Sequence, residues 1–264
     1  MRSYLANLFR YRDLLFWLAV KEIRVRYKSP LLGLLWSLLV PLAISAVLFV
    51  VFTYLLPVAK VRVPFFLFLI VAMFPWNFFS SCVSSATTCV LEAGPLIKKS
   101  PFPRALIPLS IVAANVVNFL FALVVVLATI IVMRLPLTGW VWSLPLLIGL
   151  EVLLTIGVVL LVAGLQVRYR DVKYLVELGL LVWFYLTPIF YSLQALRGSP
   201  ALVHSLYFLN PFVYLVEGFR LALLGGTGEG MPKALNVKSG NELHECELNG
   251  TLLKRFGLTK IIWL

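Results

Sequence analysis

Charge is what this 264-residue sequence has least of. Only 13% of its residues are Asp, Glu, Lys or Arg, 61% are hydrophobic, and the mean hydropathy is +0.99. So little polar surface argues against a water-soluble domain of this size. Acids are scarcest, 11 against 23 Lys and Arg. Those ahead of the tail, such as Asp171, Glu177 and Glu217, form no cluster that would bind a metal or flank a scissile bond. The two histidines, His204 and His244, stand far apart in unlike segments, so no hydrolase or metalloenzyme site is visible. The three cysteines give neither a disulfide framework nor a metal spacing, and Cys82 and Cys89 read as small apolar fillers on one helical face. There is no GxxxxGK[ST], and Gly225, Gly226, Gly228 and Gly230 lack the Lys and hydroxyl that a P-loop needs. The first apolar stretch leads into Lys21, Glu22 and Arg24 without a small-residue cleavage site, so no removable signal is expected. Internal repeats and low-complexity tracts are absent too.

What is present is a series of long uncharged runs. Residues 29–59, 63–91 and 105–133 carry no charge, and residues 135–167 carry only Glu151. Each exceeds the roughly 20 residues that cross a ~30 Å hydrocarbon core as helix. A shorter run, Leu178 to Leu196, either spans or breaks near Pro188 and re-enters. In lipid these segments must be helices, because an open strand edge would leave backbone groups without partners. The prediction is an all-α integral membrane protein with five hydrophobic helices. An interfacial helix occupies 1–30, spans lie at 31–56, 65–88, 105–133, 140–166 and 174–196, an outer region covers 197–224, and a polar tail runs from 226 to 264.

Arg2, Arg10, Arg12, Lys21, Arg24, Arg26 and Lys28 precede the first span; Lys98, Lys99 and Arg104 lie between the second and third, and Arg168, Arg170 and Lys173 between the fourth and fifth. Against them, Lys60, Arg62, Arg134 and Arg197 flank the spans on the other side, so the N-terminus is predicted to be cytoplasmic. The same rule accounts for most of the net charge of +12, and nucleic acid is not an expected partner.

In the first 30 residues Arg10, Asp13, Lys21, Arg24 and Lys28 share one arc of a helix, and Arg12, Glu22 and Arg26 share another. Phe16 and Trp17 would anchor this moderately amphipathic helix at the headgroups, and Pro30 would redirect the chain. Glu92 to Pro108 is a compact loop with four prolines in which Leu96 to Ser100 has room for one helical turn. It reads equally as a docking element or as a plain solvated loop. Tyr185 to Leu224, interrupted by Pro188, Gly198, Pro200 and Pro211, reads as two short re-entrant helices over a cavity on the outer side.

Glu151 is the one acid deep inside a span, where an ionised group costs on the order of 2–3 kcal/mol or more unless paired or protonated. It is either a cavity-facing polar contact or proton carrier, or a neutral interhelical side chain. Aromatic residues crowd the span ends, with Trp36 in the first span, Phe74, Trp76, Phe78 and Phe79 late in the second and Trp183, Phe184, Tyr185, Phe190 and Tyr191 late in the fifth. An interfacial belt explains most such residues. The alternative is stacking on the apolar C–H faces of sugar rings, along which a long polar chain would slide.

Four blocks in order carry a more specific signal: RYKSPLLGLLWSLLVPL at 26–42, FPWNFFSS at 74–81 with LIKKSPFPRALIPL at 96–109, VRYRDVKYLV at 167–176 with YLTPIFY at 185–191, and LNPFVYLVEGFRLALLG at 209–225. Together they resemble the membrane subunits of bacterial ATP-binding-cassette exporters for polysaccharides, the permeases for lipopolysaccharide O-antigen, capsule and wall teichoic acid. The resemblance implies a half-transporter. Two copies would pair with two separate ATPase subunits, which bind the ATP and Mg, and would move a lipid-linked glycan across the inner membrane. It implies no enzymatic activity and no cofactor for this chain. It implies that Leu96, Ile97, Lys98, Lys99, Phe102 and Arg104 form the coupling or gating element beside the ATPase. Arg24, Arg26 and Lys28 would guide the anionic lipid head, Trp36, Phe74, Trp76, Phe79, Trp183, Tyr185 and Tyr191 would line the channel, and the broken helices before residue 224 would form the outer gate. Asp171 beside Arg168 and Arg170 resembles a structural ion-pair corner. The family continues into a sixth span, whereas 231–264 is polar here and would lie outside if five spans are crossed. Competing readings are a permease for drugs or other lipids, a membrane-bound glycosyltransferase, which would need acidic residues that the loops lack, and a non-transporting membrane partner.

Overall fold

The computed structural model describes residues 11–26, 30–55, 64–94, 102–135, 139–169, 171–191 and 209–225. Every regular element among them is a helix. They are α1 (Arg12–Arg26), α2 (Pro30–Val50) running into a π-helical turn at Val51–Leu55, α3 (Phe65–Glu92), α4 (Leu106–Val132), a 3-10 turn at Gly139–Ser143, α5 (Leu144–Arg168), α6 (Val172–Tyr185) and α7 (Pro211–Leu224). Three are long and apolar enough to cross a bilayer: α3, α4 and the continuous stretch Gly139–Arg168. α2 contributes a shorter apolar stretch, Leu38–Tyr54, and α6 has 14 residues. Part of the outer region, 197–208, and the tail, 226–264, lie outside the described residues.

α3 is the central helix. A helix apolar on every face belongs in an interior, and Leu67 to Trp76 are buried without interruption. α2, α4, α5, α6 and α7 all pack against it, and α1 lies along α4. On α1, Leu18 and Ala19 turn inward while Phe16 and Trp17 are exposed and meet edge to face at 5.8 Å, as suits an interfacial helix. Polar side chains inside the long helices are satisfied locally: the hydroxyls of Ser45, Ser110, Thr129 and Thr155 donate to the carbonyls of Pro41, Ile107, Val125 and Glu151 at 2.7–2.8 Å.

Local chemistry sets the helix ends. α4 closes with Arg134 at φ 53°, and the Leu135 N–H reaches back to the Ile130 carbonyl at 3.1 Å. α6 stops at Tyr185, before Pro188, whose ring disfavours helical backbone at Thr187. α7 opens with Asn210 as N-cap and Pro211 in its first turn, and it ends on Gly225 at φ 78°. α7 also lies close to α5. A Cβ at Gly218 would stand 2.7 Å from Leu147 Cδ2, so a larger residue there would require the Leu147 side chain to shift.

Candidate functional site

The end of the bundle predicted to face the cytoplasm gathers α1, the end of α3 and the start of α4 around a cleft of about 210 Å³. Lys21, Glu22, Ser85, Thr88, Glu92 and Ser110 are among its lining residues. Arg24 is exposed on α1, and Arg26 closes that helix. Phe102 packs partly into the core, and Arg104 is exposed in the turn that starts α4, where the Ile107 N–H donates to its carbonyl at 3.3 Å. Lys28, Leu96, Ile97, Lys98 and Lys99 lie outside the described residues. Of the expected ion-pair corner, Arg170 lies outside the described residues; Asp171 and Arg168 make no ion pair among those described, and the Arg168 guanidinium lies 5.6 Å from the Tyr169 ring.

The aromatic set divides in two. Phe74, Trp76 and Phe79 are buried on α3. The Trp76 and Phe79 rings lie 5.3 and 4.8 Å from Phe212 of α7, and Phe79 lies 5.1 Å from Trp183 of α6. Trp36 and Tyr185 are about 60% exposed, at 62% and 60%. Tyr191 is half-buried, its hydroxyl donating to the Tyr185 carbonyl at 3.2 Å. Asn210 joins the inner set to the helix ends. Its Oδ1 accepts from the Trp183 indole N–H at 2.8 Å and from the Phe212 N–H at 2.9 Å.

Three features escaped the sequence reading. Ser80, Ser81, Ser84 and Ser85 line an open groove together with Leu180, so α3 turns hydroxyls toward α6 there. The signal for it was their i, i+4 spacing. Arg220 is fully buried: Nη1 donates to Glu217 Oε1 at 2.9 Å, Nη2 donates to the Ile189 carbonyl at 2.8 Å, and Cζ sits 3.5 Å from the Phe68 ring centroid. The i, i+3 spacing of Glu217 and Arg220 was legible, their burial was not. The third is the Asn210 junction itself, since Trp183 stands 27 positions before it. Glu151 is fully buried on α5, and neither carboxylate oxygen has a hydrogen-bond partner among the described residues.

The family described as ABC-2 type transporter matches residues 13–224. The protein named O-antigen export system permease protein RfbA from Klebsiella pneumoniae is 33% identical over 217 residues, which cover 81% of this chain and 82% of that protein. A protein of the same name from Myxococcus xanthus is 30% identical over 214 residues, 81% of each.

Proposed function

This chain belongs to the ABC-2 type transporter family, and from that premise we propose that it is the transmembrane subunit of an ATP-driven exporter that moves a lipid-linked polysaccharide across the bacterial inner membrane. The observation that carries this reading is similarity to O-antigen export permeases over four-fifths of both chains. Two copies would form the channel, with the N-terminus in the cytoplasm. Energy would come from a separate ATPase, in keeping with a sequence that has no P-loop of its own.

The geometry fits a polar chain passing an apolar bundle. The serine groove between α3 and α6 offers hydroxyls that exchange hydrogen bonds with a sliding glycan. Exposed Trp36 and Tyr185 offer flat faces for sugar C–H groups. Phe74, Trp76 and Phe79 pack inside the bundle, where Trp183 meets Phe79 edge to face. At the cytoplasmic end Leu96, Ile97, Lys98, Lys99, Phe102 and Arg104 would meet the ATPase, and Arg24, Arg26 and Lys28 would draw in the anionic lipid head.

Gentle solubilisation from the native membrane tests the assembly. An ATPase with a P-loop co-purifying in equal amount is the expected result, and repeated recovery of this protein without one would overturn the reading.

A further inference from the structure

A guanidinium is an expensive group to bury, and it persists only where its charge is paired and its donors are used. Arg220 pairs its charge and uses Nη1 and Nη2 while holding three chain segments at once: Glu217 on its own helix, the carbonyl of Ile189 in the turn after α6, and the face of Phe68 on α3. Phe68 also begins a chain of rings. It stacks on Phe65 at 5.9 Å, Phe65 meets Phe52 at 6.4 Å, and Phe52 stacks on Phe190 at 5.4 Å with only 16° between planes. Phe190 follows Ile189 directly, so the circuit closes through Arg220. It ties together the π-helical turn that follows α2, the first turn of α3, the turn after α6, and α7. In the predicted topology the first three all lie at the outer end.

We propose that this circuit is the outer hydrophobic seal of the transport path and that Arg220 is the positioning residue that latches it shut. The inference rests on the transporter reading above. Phe68 is fully buried, while the partly exposed rings of Phe52, Phe65 and Phe190 offer no hydrogen bond to an ion or a water chain, and constrictions of that kind close by dewetting. By fixing the backbone at Ile189, Arg220 sets where Phe190 meets Phe52. Opening for a passing glycan parts those two rings and breaks the bond to Ile189. Losing a charge-assisted bond of this kind shifts the ratio of closed to open about tenfold to a hundredfold.

The test uses the full complex with its ATPase in liposomes that trap a chloride-quenched fluorophore. Chloride influx is read without ATP, and surface glycan is scored in the host for the same variants. Wild type stays sealed; Arg220→Gln and Phe190→Ala admit chloride about tenfold faster or more. The double variant Glu217→Gln/Arg220→Gln leaves no unpaired charge at this pair, so it assembles like wild type. It still leaks, because the shorter side chain does not reach Ile189. A merely structural Arg220 gives the opposite, a double variant that is both assembled and sealed, and that result overturns the latch. Phe190→Ala carries no burial penalty for charge, and wild-type tightness in its assembled complex overturns the seal. A wild type that exports no glycan in its host overturns the transporter reading and the seal together, whereas an exporting wild type with tight variants overturns the seal alone.

Discussion

Replacing Asn210 with alanine removes a junction that holds α6 to α7. Asn210 Oδ1 accepts from the Phe212 N–H at 2.9 Å and from the Trp183 indole N–H at 2.8 Å, while Nδ2 donates to Thr187 Oγ1 at 3.2 Å and to the Leu186 carbonyl at 3.4 Å. The two short bonds dominate, since the longest contact is near the limit of a useful hydrogen bond. Loss of the N-cap costs about 1 kcal/mol. A half-buried indole N–H left without an acceptor costs about 1–2 kcal/mol more. A total of roughly 2–3 kcal/mol lowers the unfolding midpoint of a chain this long by about 4–12 °C. The assay is thermal unfolding of the purified protein in one detergent at one scan rate, since the transition is read as a ranking of variants. Asn210→Asp is the informative control. It keeps the accepting oxygen but sets a second oxygen against the Thr187 hydroxyl and the Leu186 carbonyl, so its midpoint should fall between alanine and wild type. An alanine variant that melts within about one degree of wild type would refute the assignment of Asn210 as the clamp.

Charge reversal at Lys98 and Lys99 should lower surface glycan without reducing the amount of inserted protein, and normal surface glycan in that double variant would count against a coupling role. Glu151→Gln keeps the shape of the buried side chain and removes its capacity to carry a proton; because ATP drives export, surface glycan should stay at wild-type level, which excludes a proton-carrying role, whereas its loss in a normally assembled complex would contradict this expectation. Gly225→Ala places a Cβ at φ 78° and should cost about 1 kcal/mol, read as a lowered unfolding midpoint, with Gly225→Asn closer to wild type.

Much of the fold was legible because span helices announce themselves by length and lack of charge. The uncharged runs at 63–91 and 105–133 became α3 and α4, and the run broken by Glu151 became α5. Hydropathy reports that a segment is apolar and not which way each face turns. Phe74, Trp76, Phe79 and Trp183 therefore looked alike to Trp36 and Tyr185 in the sequence, although the first three are buried, Trp183 is half-buried against Phe79, and the last two are exposed. Arg220 and Glu217 read as members of a short helix of unknown depth. Their pairing depends on a carbonyl 31 positions away at Ile189, and no local pattern encodes such a partner. The serines of α3 were hidden by the hydrophobicity around them, since a groove exists only once α6 lies alongside. The family was legible for a different reason: its four blocks sit at helix ends and breaks, where residue identity is fixed by caps and prolines such as Asn210, Pro211 and Pro188.

Outward movement of a lipid-linked glycan by this chain is directly observable. The measurement that meets it most directly is the location of that glycan in the native host after the gene is removed and then restored. Surface polysaccharide should disappear, lipid-linked glycan should accumulate on the cytoplasmic face, and both should revert on complementation with wild type. Unchanged surface polysaccharide in the deletion strain, with no cytoplasmic accumulation, would contradict it.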